Sequence, residues 1–382
     1  MWSEISDLTT NIVIDTSIFD SEERQHSPSV FQLTSAEGGG QVVDFCYLSN
    51  KYFPSPVFRR DLCAQFEVAL HNYPSMQEEQ KRLVGELTGY RPEQILVGNG
   101  ASELIHMVAA RVGDRWLIPY PSYMEYENVV RDFGKNLTMF ELREADDFGV
   151  DIERLLGDIK THSIDTIVFP NPNSPTGQRM TIEDLERLLT ETQGLATVVI
   201  DESFIEFTEE AREDIPTLRD RLDAWEHLIV IRSLGKDFGV CGLRLGLIAT
   251  SNQSVLDDIG RFVPIWNISP MAEVFLRLAI DRIDEYEAAR VTCVKETQAF
   301  VKALRTVPRL YVYDTYSNFV LFRIDGGPRN STQLRDSLLQ QHGHYVRDCS
   351  RKQGLSDRFV RVGTNLPEHN QALVNAIGRL VS

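Results

Sequence analysis

The sequence predicts an α/β protein, with a large domain on a mainly parallel, helix-covered sheet and a smaller α+β domain. From about residue 94, short β-rich runs alternate with amphipathic helical patterns, as in βαβ units. At 382 residues, the chain is longer than one hydrophobic core usually grows, so a second domain is expected. We expect an N-terminal arm with part of the small domain in residues 1–50, the large domain in residues 51–268, and the C-terminal small domain in residues 269–382.

The predicted elements of the large domain follow in order. The first strand, QILVGNG, ends in a glycine turn that opens the amphipathic helix ASELIHMVAARV. Next come the strand RWLIPYPSY, a helix to about Gly134, the strand NLTMFEL, and a strand with its loop, DTIVFPNPNSPTG. The helix TIEDLERLLTET leads to three more strands, ATVVIDESF, HLIVIRSLGK and LRLGLIAT. This order predicts a mainly parallel sheet covered by helices.

The small domain has a different pattern. Past the loop between Pro264 and Pro270, the stretch MAEVFLRLAIDRIDEYEAARVTCVKETQAFVKALR predicts one long helix. It is followed by the strand YSNFVLFRI, another helix, the strands HYVRD and RFVRVGT, and a closing helix. Strands grouped among long helices in this way indicate an α+β domain.

Composition and charge restrict the class of function. The chain has 39 basic and 56 acidic side chains, a net charge of −17, which argues against non-specific binding to nucleic acid or anionic membrane. Its five cysteines are scattered without a C-x-x-C pair, so neither a disulfide framework nor a zinc site is expected. The acidic N-terminal stretch lacks the basic region of a signal peptide, and no apolar run is long enough to span a bilayer. We therefore expect a cytoplasmic protein.

Four polar features follow the ends of predicted strands. The turn GNGAS opens a helix whose exposed N–H groups suit a phosphate, and the loop NPNSPTG closes another strand. Asp201 ends the strand VVID. Lys236 follows the strand LIVIRS, with Ser233 and Arg244 nearby as anion donors. Ligands of open α/β sheets bind outside the carboxyl ends of the strands, so these four features predict a ligand site there.

Each feature alone has an ordinary structural explanation. A glycine turn is usually a tight connection, an aspartate at a strand end is usually a cap, and a lone loop lysine is usually solvated. Together, a phosphate site, a strand-terminal carboxylate and a lysine beside further anion donors are what pyridoxal phosphate requires. That cofactor forms a Schiff base with a lysine and places an acid against its pyridinium nitrogen. The residues therefore predict a pyridoxal phosphate enzyme.

Longer motifs carry a resemblance to a known family. The stretch HNYPSMQEEQKRLVGELTGYRPEQILVGNGASELI is followed in order by PSYMEY, NPNSPTG, DESFIEF, SLGKDFGVCGLRLG, NFVLFR, YVRDCS and RFVRVGT. This set resembles the fold-type I pyridoxal-phosphate enzymes of the class I and II aminotransferase family. Within the family it is similar to the branch of histidinol-phosphate aminotransferases and threonine-phosphate decarboxylases. The resemblance runs from Glu37 to the C-terminus and implies an aspartate aminotransferase-like fold.

The resemblance implies roles for individual residues. Lys236 would be the Schiff-base lysine that also moves the substrate α-proton, and Asp201 would keep the pyridinium nitrogen protonated. Arg361 resembles the arginine that grips the substrate α-carboxylate, and Arg347 matches a position that contacts the distal phosphate in histidinol-phosphate enzymes. Tyr73 resembles the tyrosine that reaches the phosphate bound by the partner subunit, which implies a homodimer. The other implied cofactor contacts are the phosphate donors Gly100, Ala101, Ser102, Ser233 and Arg244, the ring-stacking Tyr123, and Ser174 at the phenolic oxygen.

Three positions depart from the family pattern. Ser174 stands where the family usually has an asparagine that donates to the cofactor's phenolic oxygen, and Phe204 stands where aminotransferases have a second donor, a tyrosine. Gly235 replaces a serine or threonine that donates to phosphate. We expect the ring to be held by fewer donors than usual, unless Asn173 or a water takes the place of the missing donor.

Two activities are consistent with these motifs. The main interpretation is an aminotransferase acting on an amino acid or amino phosphate with an anionic group, with a 2-oxo acid as acceptor. The alternative is a decarboxylase or other lyase of the threonine-phosphate type, which GNGASELI, PSYMEY, PIWNIS and VRDCS favour. A binding module without activity is disfavoured, because the lysine, the aspartate and both key arginines are present. The HGH sequence at residues 342–344 lacks a third ligand pattern, so we predict a turn beside a strand and no metal.

Overall fold

The computed structural model describes residue 19, residues 27–34 and residues 42–382. Most of the predicted N-terminal arm, and the start of the motif match at Glu37, lie outside the described residues. The described chain forms two compact units. The smaller unit comprises the described residues up to Leu48 with Gln298–Tyr313 and Phe319–Ser382, and the larger comprises Ser49–Thr297 and Asp314–Asn318.

The described residues form thirteen strands and fourteen α-helices. The strands are β1 (Val43–Asp44), β2 (Ile95–Asn99), β3 (Arg115–Tyr120), β4 (Asn136–Glu141), β5 (Thr166–Pro170), β6 (Thr197–Asp201), β7 (Leu228–Arg232), β8 (Leu245–Ala249), β9 (Leu310–Val312), β10 (Phe319–Ile324), β11 (His344–Tyr345), β12 (Arg347–Asp348) and β13 (Phe359–Gly363). The helices are α1 (Val30–Thr34), α2 (Pro56–Ala64), α3 (Phe66–His71), α4 (Gln77–Thr88), α5 (Gly100–Arg111), α6 (Glu125–Asp132), α7 (Ile152–Thr161), α8 (Ile182–Thr192), α9 (Leu234–Asp237), α10 (Gln253–Gly260), α11 (Pro270–Ile280), α12 (Ile283–Leu304), α13 (Ser331–His342) and α14 (Pro367–Val381).

A seven-stranded sheet in the order β2-β8-β7-β6-β5-β3-β4 forms the centre of the larger unit. Its neighbouring strands are parallel except at β8, which pairs antiparallel with both β2 and β7. Every residue of β5, β7 and β8 is buried, as expected for strands covered on both faces. This confirms the predicted α/β fold with a mainly parallel, helix-covered sheet.

The smaller unit is built on a four-stranded antiparallel sheet in the order β12-β13-β10-β9. A second, two-stranded sheet pairs β1 with β11 in parallel. The hydrophobic core of the smaller unit includes Phe45 from a loop, Leu338 from α13, Val360 from β13 and Ile377 from α14. The predicted α+β character of this part is confirmed. Among the helices that the structure describes, none has the length and apolarity needed to cross a membrane.

The long helix expected beyond Pro270 is two helices. α11 ends at Ile280 and α12 begins at Ile283, and Arg282 between them donates to the carboxylate of Asp61. α11 packs against α2, α3 and α4 of the larger unit. The compact units therefore divide within α12, between residues 297 and 298, and not at the expected position between residues 268 and 269.

Residues 314–318, between β9 and β10, belong to the larger unit. The Tyr316 N–H donates to the Gly177 carbonyl at 2.8 Å, and the Gln178 side-chain amide donates to the Asp314 carbonyl at 2.8 Å. The guanidinium of Arg179 lies over the Tyr316 ring, 4.6 Å from its centroid. This short segment is thus bound to the loop that follows β5.

Candidate active site

The site residues predicted for the large domain gather at one edge of the seven-stranded sheet. β5, β6 and β7 are parallel, so Asp201 at the end of β6 and Lys236 just after β7 lie at the same edge. Gly100 follows β2, which runs in the same direction because both β2 and β7 pair antiparallel with β8. Arg244 directly precedes β8, and the reversed direction of β8 brings its amino end to this edge. Groups from distant parts of the sequence are thus brought together as expected.

Lys236 lies in α9, a four-residue helix after β7. Its Nζ is 4.2 Å from the centroid of the Phe204 ring and 5.7 Å from the centroid of the Tyr123 ring. Its backbone carbonyl accepts a hydrogen bond of 2.9 Å from the Asn50 N–H. The amine therefore faces two aromatic rings, one of which is Tyr123, the predicted stacking partner of the cofactor.

Asp201 is buried and is held by two donors. Its Oδ1 accepts from the Ser203 N–H at 2.9 Å, and its Oδ2 accepts from the Tyr126 hydroxyl at 2.9 Å. Burial and the charge of Asp201 raise the pKa of Tyr126 well above its ordinary value, so the phenol stays a donor. The sequence analysis missed Tyr126, although its spacing of three residues from Tyr123 in PSYMEY was a usable signal.

The GNGAS turn and Arg244 are in close proximity. Gly100 has a φ of 77°, and a Cβ added there would lie 2.2 Å from Nη2 of Arg244. A Cβ at Gly246 would lie 2.6 Å from the Ala101 nitrogen, so glycine is required on both sides. Gly100, Ala101 and Ser102 form the first turn of α5, where N–H groups have no partner within the helix. Exposed N–H groups beside a guanidinium fit a phosphate.

Tyr123 and Ser102 interact through their side chains, which links the turn of α5 to the aromatic ring near Lys236. Burial raises the pKa of Tyr123 to about 12, and the hydrogen bond to Ser102 opposes that rise in part. The phenol is therefore neutral at physiological pH, as a ring that stacks on a cofactor can be.

The segment before Lys236 explains one departure from the family pattern. A Cβ at Gly235 would lie 3.0 Å from the Cα of Cys241, so the close approach of that backbone favours glycine. Ser233, two residues earlier, donates its N–H to the Ser203 hydroxyl at 2.8 Å. Ser203 thereby joins the strand ends that carry Asp201 and Lys236.

The loop after β5 shows whether Asn173 can take the place of the donor missing at Ser174. The Asn173 side-chain amide donates to the Pro121 carbonyl and to the Thr176 hydroxyl, both at 2.9 Å. Its oxygen accepts from the Ser122 hydroxyl at 2.7 Å. Asn173 is thus bound to its own loop through Thr176 and to the loop after β3 through Pro121 and Ser122, so it does not replace the donor that is missing at Ser174.

A buried cluster of three charged side chains includes Asp237, the last residue of α9. Nη2 of Arg232 donates to Glu206 Oε1 at 2.7 Å and to Asp237 Oδ2 at 2.8 Å, and all three side chains are buried. Burial raises the pKa of Asp237 to about 7, although Arg232 opposes the shift. No sequence motif indicated this cluster. Its member Asp237 directly follows Lys236 in the sequence.

Tyr73 is placed differently from the other predicted site residues. Its ring is 75% exposed and stacks on Trp266, with centroids 4.1 Å apart and planes inclined by 19°. No described contact within this chain joins Tyr73 to Lys236 or to the α5 turn. Its predicted role at the partner subunit's site stays a prediction.

Arg347 and Arg361 lie in the smaller unit as direct partners across β12 and β13. Side chains opposite each other in an antiparallel pair share one face of the sheet. The Arg361 guanidinium donates to the Cys46 carbonyl and lies over the Phe319 ring, while that of Arg347 donates to the Ser27 hydroxyl. Burial, aided by the charge of Arg347, lowers the pKa of Arg361 below its ordinary value. The structure thus brings the two predicted substrate-binding arginines together.

These residues fit the predicted cofactor. The glycine cradle with Arg244 offers N–H groups and a cation to a phosphate, Asp201 offers a fixed carboxylate to a ring nitrogen, and Lys236 offers an amine. No group of three or more His, Cys, Asp or Glu side chains in the described ranges is arranged to hold a metal ion. At residues 342–344, α13 ends at His342, and Gly343, with a φ of 66°, caps the helix directly before β11.

Comparison with known proteins supports the same assignment. The family described as aminotransferase class I and II matches residues 44–377. The L-serine phosphate decarboxylase Cj1436c of Campylobacter jejuni is 30% identical in an alignment that covers 99% of this chain and 98% of the relative.

Solved structures extend the likeness. A decarboxylase from Sulfurospirillum multivorans superposes with a TM-score of 0.86 and 30% identity, over 94% of this chain and 93% of that one. The histidinol-phosphate aminotransferase of Sinorhizobium meliloti, solved in complex with pyridoxal-5'-phosphate, has a TM-score of 0.78 and 18% identity over 90% of this chain and 92% of that one. The predicted family and cofactor class are confirmed. Because the family matches residues 44–377 and a relative of 30% identity matches 99% of the chain, this chain belongs to the class I and II aminotransferase family.

Proposed function

We propose that this enzyme is a pyridoxal-phosphate-dependent decarboxylase that acts on the phosphate ester of a small amino acid, such as O-phosphoserine. The observation that carries the substrate class is the pairing of Arg347 with Arg361 on one face of the small sheet. Two guanidinium groups side by side match a molecule with two anionic groups, a carboxylate and a phosphate.

The choice of reaction follows from the relatives. The Campylobacter jejuni protein is named an L-serine phosphate decarboxylase and matches almost the whole chain, and the Sulfurospirillum multivorans structure is that of a decarboxylase. These likenesses support the alternative of the sequence analysis better than its main interpretation. Transamination with a 2-oxo acid stays the second candidate, because the Sinorhizobium meliloti neighbour is an aminotransferase.

Each residue of the site has a part in this proposal. Bound pyridoxal 5'-phosphate supplies an aldehyde that joins amines and a ring that accepts an electron pair from the substrate α-carbon. Gly100, Ala101, Ser102, Ser233 and Arg244 hold its phosphate, and Tyr123 stacks on its ring. Ser174 stands at its phenolic oxygen.

Two residues at the strand ends carry charge and protons. Asp201, held by Tyr126 and Ser203, keeps a proton on the ring nitrogen. Lys236 holds the cofactor in the resting enzyme and moves a proton at the substrate α-carbon. Arg361 binds the α-carboxylate, and Arg347 binds the distal phosphate.

The working form in this proposal is a homodimer. Exposed apolar side chains lie near Tyr73 in the sequence and next to Trp266, on which its ring stacks. They are Phe66, Val68, Leu70, Met76, Ile265 and Trp266 itself. Exposed apolar residues gathered in this way are typical of interaction surfaces. A second copy of the chain would cover them and receive Tyr73 at its phosphate site. Sedimentation that shows a fully active monomer would contradict this part.

The reaction itself is tested by mass spectrometry of products. Purified enzyme is incubated with O-phosphoserine and other phosphorylated amino acids, with and without 2-oxoglutarate. We expect the amine that has lost carbon dioxide, formed whether or not the acceptor is present. Formation of the 2-oxo acid only when the acceptor is present would establish transamination and overturn the proposal.

A further inference from the structure

Trp266, in the PIWNIS stretch between α10 and α11, combines two unusual features. Its φ of 57° places a bulky side chain in the left-handed region, which costs energy and persists only where the surrounding structure fixes it. Its indole is 43% exposed and stacks on the Tyr73 ring, with centroids 4.1 Å apart and planes inclined by 19°. The chain thus keeps an exposed aromatic residue in an unfavourable backbone conformation, and the flat surface of that residue faces Tyr73.

The backbone next to Trp266 is fixed by the buried side chain of Asn267. The Asn267 amide donates to the Val97 carbonyl at 2.8 Å and to Glu103 Oε2 at 3.3 Å. Glu103 Oε2 also accepts from the Asn99 N–H at 2.6 Å, directly before the first residue of α5. The loop that carries Trp266 is therefore tied to the turn that the proposed function assigns to the cofactor phosphate.

The backbone near Tyr73 is also fixed, whereas its ring is largely exposed. The N–H and the hydroxyl of Ser75 donate to the two carboxylate oxygens of Glu273, at 2.6 and 2.8 Å, and the Ser75 carbonyl accepts from the Gln80 amide at 2.7 Å. The Tyr73 ring is 75% exposed, and a side chain with so little cover keeps its rotamer freedom unless a neighbour restricts it. Trp266 restricts it by covering one face of the ring.

We infer that Trp266 is a positioning residue, which orients the Tyr73 ring for the cofactor phosphate of a second copy of the chain. This inference rests on the proposed function, in which Tyr73 completes the partner subunit's site. A ring that is already ordered loses less conformational freedom when its hydroxyl binds the phosphate, so the cofactor is bound more tightly. In this role the indole acts only through Tyr73.

Mixed dimers separate the chain that binds the cofactor from the chain that supplies Tyr73. Two differently tagged chains are co-expressed, and the mixed dimer is purified over both tags. One chain carries Lys236→Ala, so only the site with the intact lysine gives the visible absorbance band of the attached cofactor. Titration of the cofactor-free dimer with pyridoxal 5'-phosphate then gives the Kd of that single site without turnover.

Trp266→Leu is placed on either chain of this dimer. On the Lys236→Ala chain it loosens the Tyr73 that reaches the intact site, so we expect the Kd of that site to rise about three- to tenfold, the size of an aromatic stack. On the other chain it should leave this Kd unchanged. A rise in the second arrangement alone would show that the substitution acts through Asn267 on the phosphate turn of its own chain, and would overturn the inference.

Two further variants control for packing. Trp266→Phe keeps a flat ring and should restore most of the affinity, whereas Trp266→Met fills space without a flat face and repeats the test if Trp266→Leu does not yield dimers. Phe262→Leu alters another exposed ring of this stretch, which lies under the Arg111 guanidinium at 4.8 Å, and should change the Kd in neither arrangement. An equal rise with Trp266→Leu and Phe262→Leu would contradict a specific role for the indole.

Tyr73→Phe in the same arrangements distinguishes the inference from the proposed function. On the Lys236→Ala chain it removes the hydroxyl supplied to the intact site and should raise the Kd by about tenfold or more. Trp266→Leu added to that chain should give no further rise, because the indole acts through the same hydroxyl. Equal effects of Tyr73→Phe in both arrangements would contradict the shared site of the proposed function, and the inference with it. An effect of Tyr73→Phe on the Lys236→Ala chain alone, with none of Trp266→Leu there, would overturn only the inference.

Discussion

The two units of this chain arrange charged side chains in opposite ways. In the larger unit, Arg232 bridges Glu206 and Asp237, so the charges under α9 are balanced by neighbouring residues. In the smaller unit, Arg347 and Arg361 stand opposite each other, an arrangement that destabilises an antiparallel pair by itself. The larger unit thus places a cation between two carboxylates, whereas the smaller unit places two cations side by side.

The two units also differ in how the pKa of a buried group is shifted. Burial raises the pKa of Asp237 in the larger unit to about 7. Burial, with help from His342 and His369, lowers the pKa of His344 in the smaller unit to about 4. Both shifts favour the neutral form of a buried group, but they make stability depend on pH in opposite directions.

The largest expected effect comes from the lysine of the larger unit. Lys236→Ala should reduce turnover by at least about 1000-fold, because the residue is the proposed proton carrier as well as the cofactor attachment. The visible absorbance band of the attached cofactor should disappear, while cofactor still binds through the α5 turn and Arg244. Absorbance spectra and equilibrium dialysis check both points. A variant that keeps the band would show that another amine holds the cofactor.

His344 should make the smaller unit sensitive to acid. The pKa of His344 is about 4 in the fold, against the ordinary value of 6.5 in an unfolded chain, so unfolding takes up a proton between these pH values. Stability is full above pH 6.5 and falls as the pH drops toward 4, by about 3 kcal/mol from this group. Hydrogen exchange of peptides from α13 and β11, measured across this range, reports the loss.

The control for this prediction is the pH slope of His344→Gln, which cannot titrate. The variant is expected to be less stable near neutral pH because packing changes, but to lose less stability on acidification. Asp237→Asn provides the contrast, since a raised carboxyl pKa contributes stability that is lost as pH rises from 3.8 through about 7. Equal acid slopes in His344→Gln and the parent would show that His344 is not the titrating group.

Substitution of Arg347 tests whether the paired arginines of the smaller unit bind the substrate phosphate. Arg347→Gln should weaken binding of O-phosphoserine by about 10- to 100-fold, because it removes a charge-assisted bond to the phosphate. Catalytic efficiency toward unphosphorylated serine should change little. The stability of the fold should change little, because the substitution removes both a like-charge contact across β12 and β13 and the bond of Arg347 to the Ser27 hydroxyl. Equal losses for both substrates would assign the arginine to general packing of the site.

Phe204→Tyr should have the smallest effect. A hydroxyl donor near the cofactor's phenolic oxygen favours the charged form of that oxygen, so the pH midpoint of the absorbance change should move down by less than about 1 unit. Ser174→Asn should shift it in the same direction. Asn173 is bound by Pro121, Ser122 and Thr176, so it does not mask the effect. Coincident titration curves would mean that these departures from the family pattern are electronically silent.

The sequence revealed the ends of strands well, because glycine turns, the Pro/Asn loop and apolar runs are local signals. It therefore predicted that Asp201, Lys236 and the GNGAS turn gather at one sheet edge. It could not show that Tyr126 binds Asp201, or that Arg232 bridges Glu206 and Asp237. Those contacts join side chains from different elements, and no local pattern specifies them.

The expected single helix beyond Pro270 shows the same limit. Its apolar period continues across Asp281 and Arg282, so periodicity alone predicts an unbroken helix. At the break, Arg282 donates to Asp61, a partner far away in the sequence that periodicity does not reveal. The assignment of residues 269–297 to the larger unit likewise depends on packing against α2, α3 and α4.

Residues 314–318 belong to the larger unit although they lie between two strands of the smaller unit, and this has a consequence for synthesis on the ribosome. Domains usually fold as they emerge, amino-terminal part first. Here the larger unit is complete only after Asn318 has left the exit tunnel, because Tyr316 supplies a bond to Gly177. The smaller unit must wait longer still, since Phe45 from the beginning of the chain accepts from Gly363 near its end. A nascent chain halted at the end of the seven-stranded sheet would therefore leave both units unfinished, the larger until Asn318 has emerged and the smaller until Gly363 has emerged.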